Sequence, residues 1–253
     1  MITQKEPASW QELQNYCAMV LQQCGLDAET EKLVKLVRGK AEIDVFATEN
    51  HQGRNYMILI ECKYWSRKVP QHVVHSFRTV MGDVGANIGY IISKAGFQAG
   101  AYEAAESTNI KLLTWPEFQQ VFMEQWFRVY FTHSVAKHLE RLDDYLEDAI
   151  RIEDWHRKLT RDELDSFRKL QLEHCFLKQL FYFLLPYSYM LQPQTPIFSL
   201  PLSTHKFISK GLPEALISAQ GYREFFEELC DYCEPIMAAF KAFEHTGKSR
   251  LVD

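Results

Sequence analysis

Met57-Ile58-Leu59-Ile60-Glu61-Cys62-Lys63 is a continuously apolar run that ends on a carboxylate and an ammonium two residues apart. Four successive apolar residues suit a central strand covered on both faces. Side chains alternate along a strand, so Glu61 and Lys63 share one face and Cys62 points to the other. Just upstream, Gly39-Lys40-Ala41-Glu42-Ile43-Asp44-Val45 leads into a preceding strand, Glu42 to Ala47. A hairpin pairing then sets Asp44 opposite Glu61, with the side chains about 5 Å apart.

Outward from this pair, the spacing predicts a helix over Ser9 to Gln23, with Ser9 as N-cap, Glu12 three residues later and Gly25 as terminator. Leu33 to Arg38 reads as the first strand, and Glu49 to Asn55 as a polar turn region. Pro70 to Val84 is a helix opened by proline. Ile88 to Ile92, Gln98 to Ser107 and Ile110 to Leu113 alternate strand, helix and strand, so the segment to about Phe118 is α/β. From Glu117 the periodicity is helical, as in Leu139, Leu142, Leu146 and Ile150, and in Phe225, Leu229, Cys233 and Ile236. Pro193 to Leu202 interrupts it as an extended connector. The expected architecture is a mixed sheet flanked by helices over residues 1–118, followed by an all-α domain over 119–253.

Composition narrows the function. The chain of 253 residues carries a net charge of -5, shared as 12 Lys and Arg against 13 Asp and Glu up to residue 118 and 16 against 20 beyond it. Any phosphate contact is therefore local. The first residues lack the layout of a secretory signal and the longest apolar run, Leu180 to Leu185, is too short to span a bilayer, so a cytoplasmic protein without a membrane partner is expected. Six dispersed cysteines point to free thiols in a reducing compartment. There is no phosphate-binding glycine loop, dinucleotide fingerprint or serine-hydrolase elbow.

Asp44 and Glu61 supply two hard carboxylates, and the Cys62 carbonyl a third oxygen, which suits Mg²⁺ or Mn²⁺ with waters filling the remaining positions. Lys63 is placed to orient or deprotonate a water and to stabilise phosphorane oxygens. Lys40, Tyr64, Trp65, Arg67 and Lys68 form a basic and aromatic cluster beside it, fit for phosphate and base contacts. Glu42 shares a strand face with Asp44 as a rival ligand. Cys230 and Cys233 continue an apolar helical face and read as core. His72 and His75 read as helix-surface residues, and the aromatic block Phe176 to Tyr189 as core that could also serve dimerisation.

These residues, with Ile91-Ile92-Ser93-Lys94-Ala95-Gly96-Phe97 and Ala101, Ala104 and Ala105, resemble the Mrr-like restriction endonuclease domain of the PD-(D/E)XK nucleases over about residues 9 to 118. The resemblance implies a metal-dependent endonuclease acting on DNA, with RNA as the alternative substrate, in bacterial restriction or anti-phage defence. It implies a homodimer or a subunit of a larger defence complex. It also implies a glutamate on the first helix, for which Glu12 is the residue, and a glutamine after the Glu-x-Lys strand, for which Gln71 is the residue. The contrasting expectation is a non-catalytic nucleic-acid-binding or protein-assembly module that keeps the fold.

Overall fold

A computed structural model describes residues 1–147, 150, 153–187, 197–204 and 211–252. The chain divides into two compact units, Met1–Tyr130 and Phe131–Asp253.

The first unit is a five-stranded sheet in the order β1-β2-β3-β4-β5, with β1 (Asp27–Lys35), β2 (Lys40–His51) and β3 (Arg54–Lys63) antiparallel, and β4 (Ile88–Ser93) and β5 (Ile110–Leu113) added in parallel. Helix α1 (Trp10–Gln23) lies against β1, β2 and β3, and α4 (Trp115–Trp126) packs on α1, β4 and β5. Helices α2 (Gln71–Val84) and α3 (Ala99–Ala105) pack on each other and on the sheet. Leu59 and Ile60 of the central strand are fully buried, as helices on both faces require. The expected α/β architecture with a mixed sheet is present. The unit ends one helix later than the change of periodicity near Phe118, because α4 docks on the sheet rather than starting the helical half.

Three boundaries differ from the sequence reading. The first strand begins at Asp27, not Leu33, and turns back at Leu36, whose N–H donates to the Gly39 carbonyl. Its acidic opening, Asp27-Ala28-Glu29-Thr30-Glu31, lies on an edge strand where alternate residues face solvent, so it carries little apolar signal. The polar stretch Glu49 to Asn55 is paired strand rather than turn: Asn50 faces Asn55 and His51 faces Arg54 around a two-residue turn, Gln52-Gly53, with positive φ at both positions (51° and 79°). Helix α3 is shorter than expected, Ala99–Ala105.

The second unit is helical among its described residues: α5 (Thr132–Leu146), α6 (Arg161–His174), α7 (Leu177–Leu184), α8 (Glu214–Ser218) and α9 (Tyr222–Val252). The apolar positions picked out by periodicity, among them Leu139, Leu142, Phe225, Leu229 and Cys233, are buried. Of the expected connector Pro193 to Leu202, residues 193–196 lie outside the described residues. No disulfide forms among the six cysteines, and no helix among the described residues is long and apolar enough to cross a membrane.

Stacking of Tyr145 on Phe240 (5.1 Å) and edge contacts of Phe167 hold this core. Above it Arg141 binds Glu153 through two nitrogens (2.7 and 3.1 Å) and Glu244 through a third contact (3.0 Å). Gly247, inside α9, has no room for a side chain: a Cβ there would stand 2.2 Å from the Trp155 carbonyl oxygen. A helical glycine costs about 1 kcal/mol relative to alanine, so close approach is what the position gains in return. Gly247→Ala is therefore expected to destabilise this unit by about 2 kcal/mol net, read as a lower thermal midpoint, where an open position would show a rise.

Candidate active site

The site is built where the sheet loses its regular pairing. Strand β2 pairs with β3 from His51 only as far as Val45, opposite Ile60, so Asp44 stands opposite Glu61 one step beyond the last paired residues. On the other side, the β1–β2 pairing passes from Thr30↔Val45 to Lys32↔Ile43 and skips Glu31 and Asp44. Glu31 holds φ 55°, a left-handed conformation that costs a non-glycine residue about 1–3 kcal/mol. Ile43 and Phe46, three residues apart, both enter the core beneath α2. A regular pleat would send them to opposite faces, so the strand turns over between them. Asp44 thus sits at a distortion present on both of its neighbours.

Its carboxylate uses that freedom to reach β3, where Oδ2 accepts the Cys62 N–H at 2.6 Å. The Lys63 ammonium is ion-paired with Glu61 Oε1. Burial pushes the Asp44 carboxyl up to about 6, and the charge of Glu61 adds to the rise, while the Cys62 N–H and Lys63 oppose it. Cys62 goes to the opposite face and is buried, its thiol near that of Cys17 on α1, as strand alternation requires. Asp44, Glu61 and Lys63 therefore converge, with Glu42 contributing to the field on Asp44.

Beside them opens a cavity of about 270 Å³, lined by Glu42, Ile43, Glu61, Lys63, His72 and Ser76 among others. His72, which the sequence reading set aside as a helix-surface residue, and Ser76, which it did not consider, both line this cavity. They are four apart on α2, hence on one helix face, adjoining the buried Val73 and Phe77 and the half-buried Val80. That apolar stripe was the available signal. His75 points elsewhere, with its Nδ1 3.3 Å from Arg78 Nη2.

The remaining expected site residues are more dispersed. Glu12 caps its own helix, its Oε2 accepting the Ala8 N–H at 2.8 Å while its N–H donates to Ser9 Oγ at 3.1 Å. Gln71, exposed at the start of α2, lies over Gly100, where a Cβ would meet its Oε1 at 2.7 Å. Tyr64 faces away from Lys63: its hydroxyl donates to the Pro7 carbonyl (3.0 Å), and Lys94 Nζ lies 4.0 Å from its ring centre. Trp65 does join the site, with Lys63 Nζ at 5.6 Å and the Arg67 guanidinium at 5.7 Å from its ring. Lys68 is exposed, and Lys40 stands opposite Lys35 at the far end of the β1–β2 hairpin.

The helix-borne polar group with unspent bonding capacity is Gln14 rather than Glu12. Gln14 is 2% exposed, and its Oε1 is buried with no hydrogen-bond partner among the described residues. It lies one turn before Cys17, which touches Cys62. Leaving a buried amide oxygen unpaired costs about 1–3 kcal/mol. Gln14→Leu is expected to raise the stability of the metal-free protein by about 1 kcal/mol, measured by thermal melting, and a loss of stability would show that this oxygen is bonded in solution.

Two carboxylates with a backbone carbonyl between Glu61 and Lys63 suit a small hard cation that keeps several waters. No group of three or more His, Cys, Asp or Glu side chains among the described residues is arranged to hold a metal. A mixed sheet covered by helices, with Glu-x-Lys closing the central strand and an acid opposite it, defines a PD-(D/E)XK nuclease domain. Residues 6–122 match the restriction endonuclease family, in its Mrr catalytic form, so the Mrr-like identity read from the sequence holds over the first unit. A crystal structure of a protein of unknown function aligns over 90% of this chain and 97% of its own, with 16% identity and a TM-score of 0.38. No curated protein matches the chain.

Proposed function

We propose that the first unit is a Mg²⁺- or Mn²⁺-dependent endonuclease that hydrolyses phosphodiester bonds of DNA. The observation that carries this reading is the meeting of Asp44, Glu61 and Lys63 at a break in the sheet, beside an open cavity, in a domain of restriction endonuclease type. Glu61 lies close enough to Asp44 for its charge to disfavour the ionised Asp44 carboxylate, an arrangement that a cation relieves. A divalent ion bound there would neutralise charge on the scissile phosphate and acidify a water.

The chain's own groups then have distinct tasks. The Cys62 N–H fixes the Asp44 carboxylate. Glu61 tethers the Lys63 ammonium in the absence of substrate. When a phosphate enters, Nζ can turn from Glu61 to a phosphate oxygen or to the attacking water, holding or releasing a proton there. Trp65 borders the ammonium, and Arg67 lies against the same ring. His72 and Ser76 offer hydrogen bonds from the opposite wall of the cavity.

Cutting both strands of a duplex calls for two such sites, so the proposed active form is a homodimer or a subunit of a larger assembly, with the helical unit as sensor, target reader or dimerisation module. A role in bacterial restriction or anti-phage defence, in the cytoplasm, belongs to the same proposal. The test is nicking or linearisation of supercoiled plasmid by the purified chain with Mg²⁺ or Mn²⁺ and its absence in chelator. Indifference to the divalent ion would remove the assignment.

A further inference from the structure

Beyond Asp44 the β1–β2 hairpin continues alone. From Ile43 to Lys40, strand β2 pairs only with β1, because its pairing with β3 stops at Val45. Lys32–Ile43 is therefore a two-stranded ribbon rooted beside the candidate site. One of its faces is anchored: Val34 and Ile43 are buried in the core beneath α2, and the Val37 N–H donates to Asp83 Oδ2 at 3.3 Å. The other face carries Leu33, 60% exposed, and Val37, 78% exposed, beside Lys35, Arg38 and Lys40.

Lys35 and Lys40 are directly opposed in the ladder. Like charges so placed destabilise a sheet. No ion pair offsets them: among the described residues Lys35, Arg38 and Lys40 have no acidic partner, whereas Lys32 is paired with Glu29 at 2.5 Å. Lysines on an edge strand commonly serve to block edge-to-edge pairing. That purpose covers both lysines, since each strand of the ribbon has a free edge here, but not Arg38 at the turn or the two exposed aliphatic residues.

We propose that this ribbon is a duplex-DNA reading element that enters the major groove while a backbone phosphate lies at the Asp44 root. The major groove of B-form DNA, about 12 Å wide and 8.5 Å deep, admits a two-stranded β-ribbon. Five residues of strand span about 16 Å, enough to reach the groove floor from the root. Lys35, Arg38 and Lys40 meet the phosphates flanking the groove, and Leu33 and Val37 supply apolar contact to base edges such as thymine methyl groups. The concentration of basic charge here also answers how an acidic chain, of net charge -5, holds a polyanion.

The ligand class rests on the nuclease reading, but the test does not use cleavage. Binding of a short DNA duplex to full-length Asp44→Asn, without divalent ions, is followed by fluorescence anisotropy across a salt series. Lys35→Ala, Arg38→Ala and Lys40→Ala are each expected to weaken binding about 3- to 10-fold and to reduce the log–log salt slope by about 1. Lys40→Glu is expected to weaken it further with no fall in the melting temperature, since the opposed lysines become an ion pair. Unchanged affinity and slope in these folded variants would overturn the proposal. So would equal binding of double-stranded RNA, whose major groove is too narrow for side chains to read. Cleavage that ignores the ribbon leaves the nuclease standing and removes the ribbon, and ribbon-dependent binding without any cleavage does the reverse.

Discussion

Replacing Lys63 by Ala or Asp44 by Ala is expected to lower Mg²⁺-dependent plasmid cleavage by at least about 10²- to 10³-fold, the usual loss when a preorganised electrostatic group is taken from a phosphoryl-transfer site. The two variants should fail for different reasons. Without Lys63, the pair with Glu61 is gone and the two carboxylates face each other unrelieved, so binding of Mn²⁺ should persist or tighten while turnover is lost. Without Asp44, the Cys62 N–H has no acceptor and one of two anionic ligands is missing, so Mn²⁺ binding and turnover fall together. Titration of Mn²⁺ beside the cleavage assay separates these cases. Cleavage that persists in both variants would show that hydrolysis takes place elsewhere.

The part of this site that could be read from sequence follows from short-range rules. Alternation along Ile60-Glu61-Cys62-Lys63 puts Glu61 and Lys63 together and buries Cys62, and antiparallel register brings residue 44 opposite residue 61. What escaped depends on departures from those rules. The turnover of the pleat at Asp44 coincides with a left-handed conformation at Glu31, which nothing in a glutamate announces. The Gln52-Gly53 turn likewise puts a non-glycine residue at positive φ, so two long hairpin arms pass for a loop.

The choice of helix residue shows a different limit. Glu12 and Gln14 are two apart on α1 and so lie about 200° apart around its axis. A carboxylate near a helix start is equally suited to capping and to metal binding, and the cap takes it. Tyr64, by contrast, was open to a parity argument: being one residue beyond Lys63, it turns to the other side of the sheet, where it meets Pro7 and Lys94.

Asp44→Asn is expected to make the metal-free protein more stable while abolishing cleavage. Burial and the neighbouring Glu61 hold the Asp44 carboxyl at about 6, against an ordinary value of 3.8. The folded state therefore binds this proton more tightly than the unfolded state does, and stability is lost as pH rises. Below about pH 4 the group is neutral in both states and imposes no penalty. Between about pH 4 and 6 the unfolded chain releases the proton first, and the penalty grows. Above about pH 6 it is complete, with a ceiling near 3 kcal/mol that partial solvent access lowers to about 1–2 kcal/mol. Asparagine keeps an oxygen for the Cys62 N–H and removes the charge. Melting in chelator should thus show the Asn variant above wild type by several degrees at pH 7 to 8, converging with it near pH 4. Divalent ions should reverse the order, because a ligand that binds only the folded state stabilises by mass action and the variant binds it poorly. A variant less stable than wild type at neutral pH in chelator would mean that Asp44 holds the fold together rather than being strained in readiness for a cation.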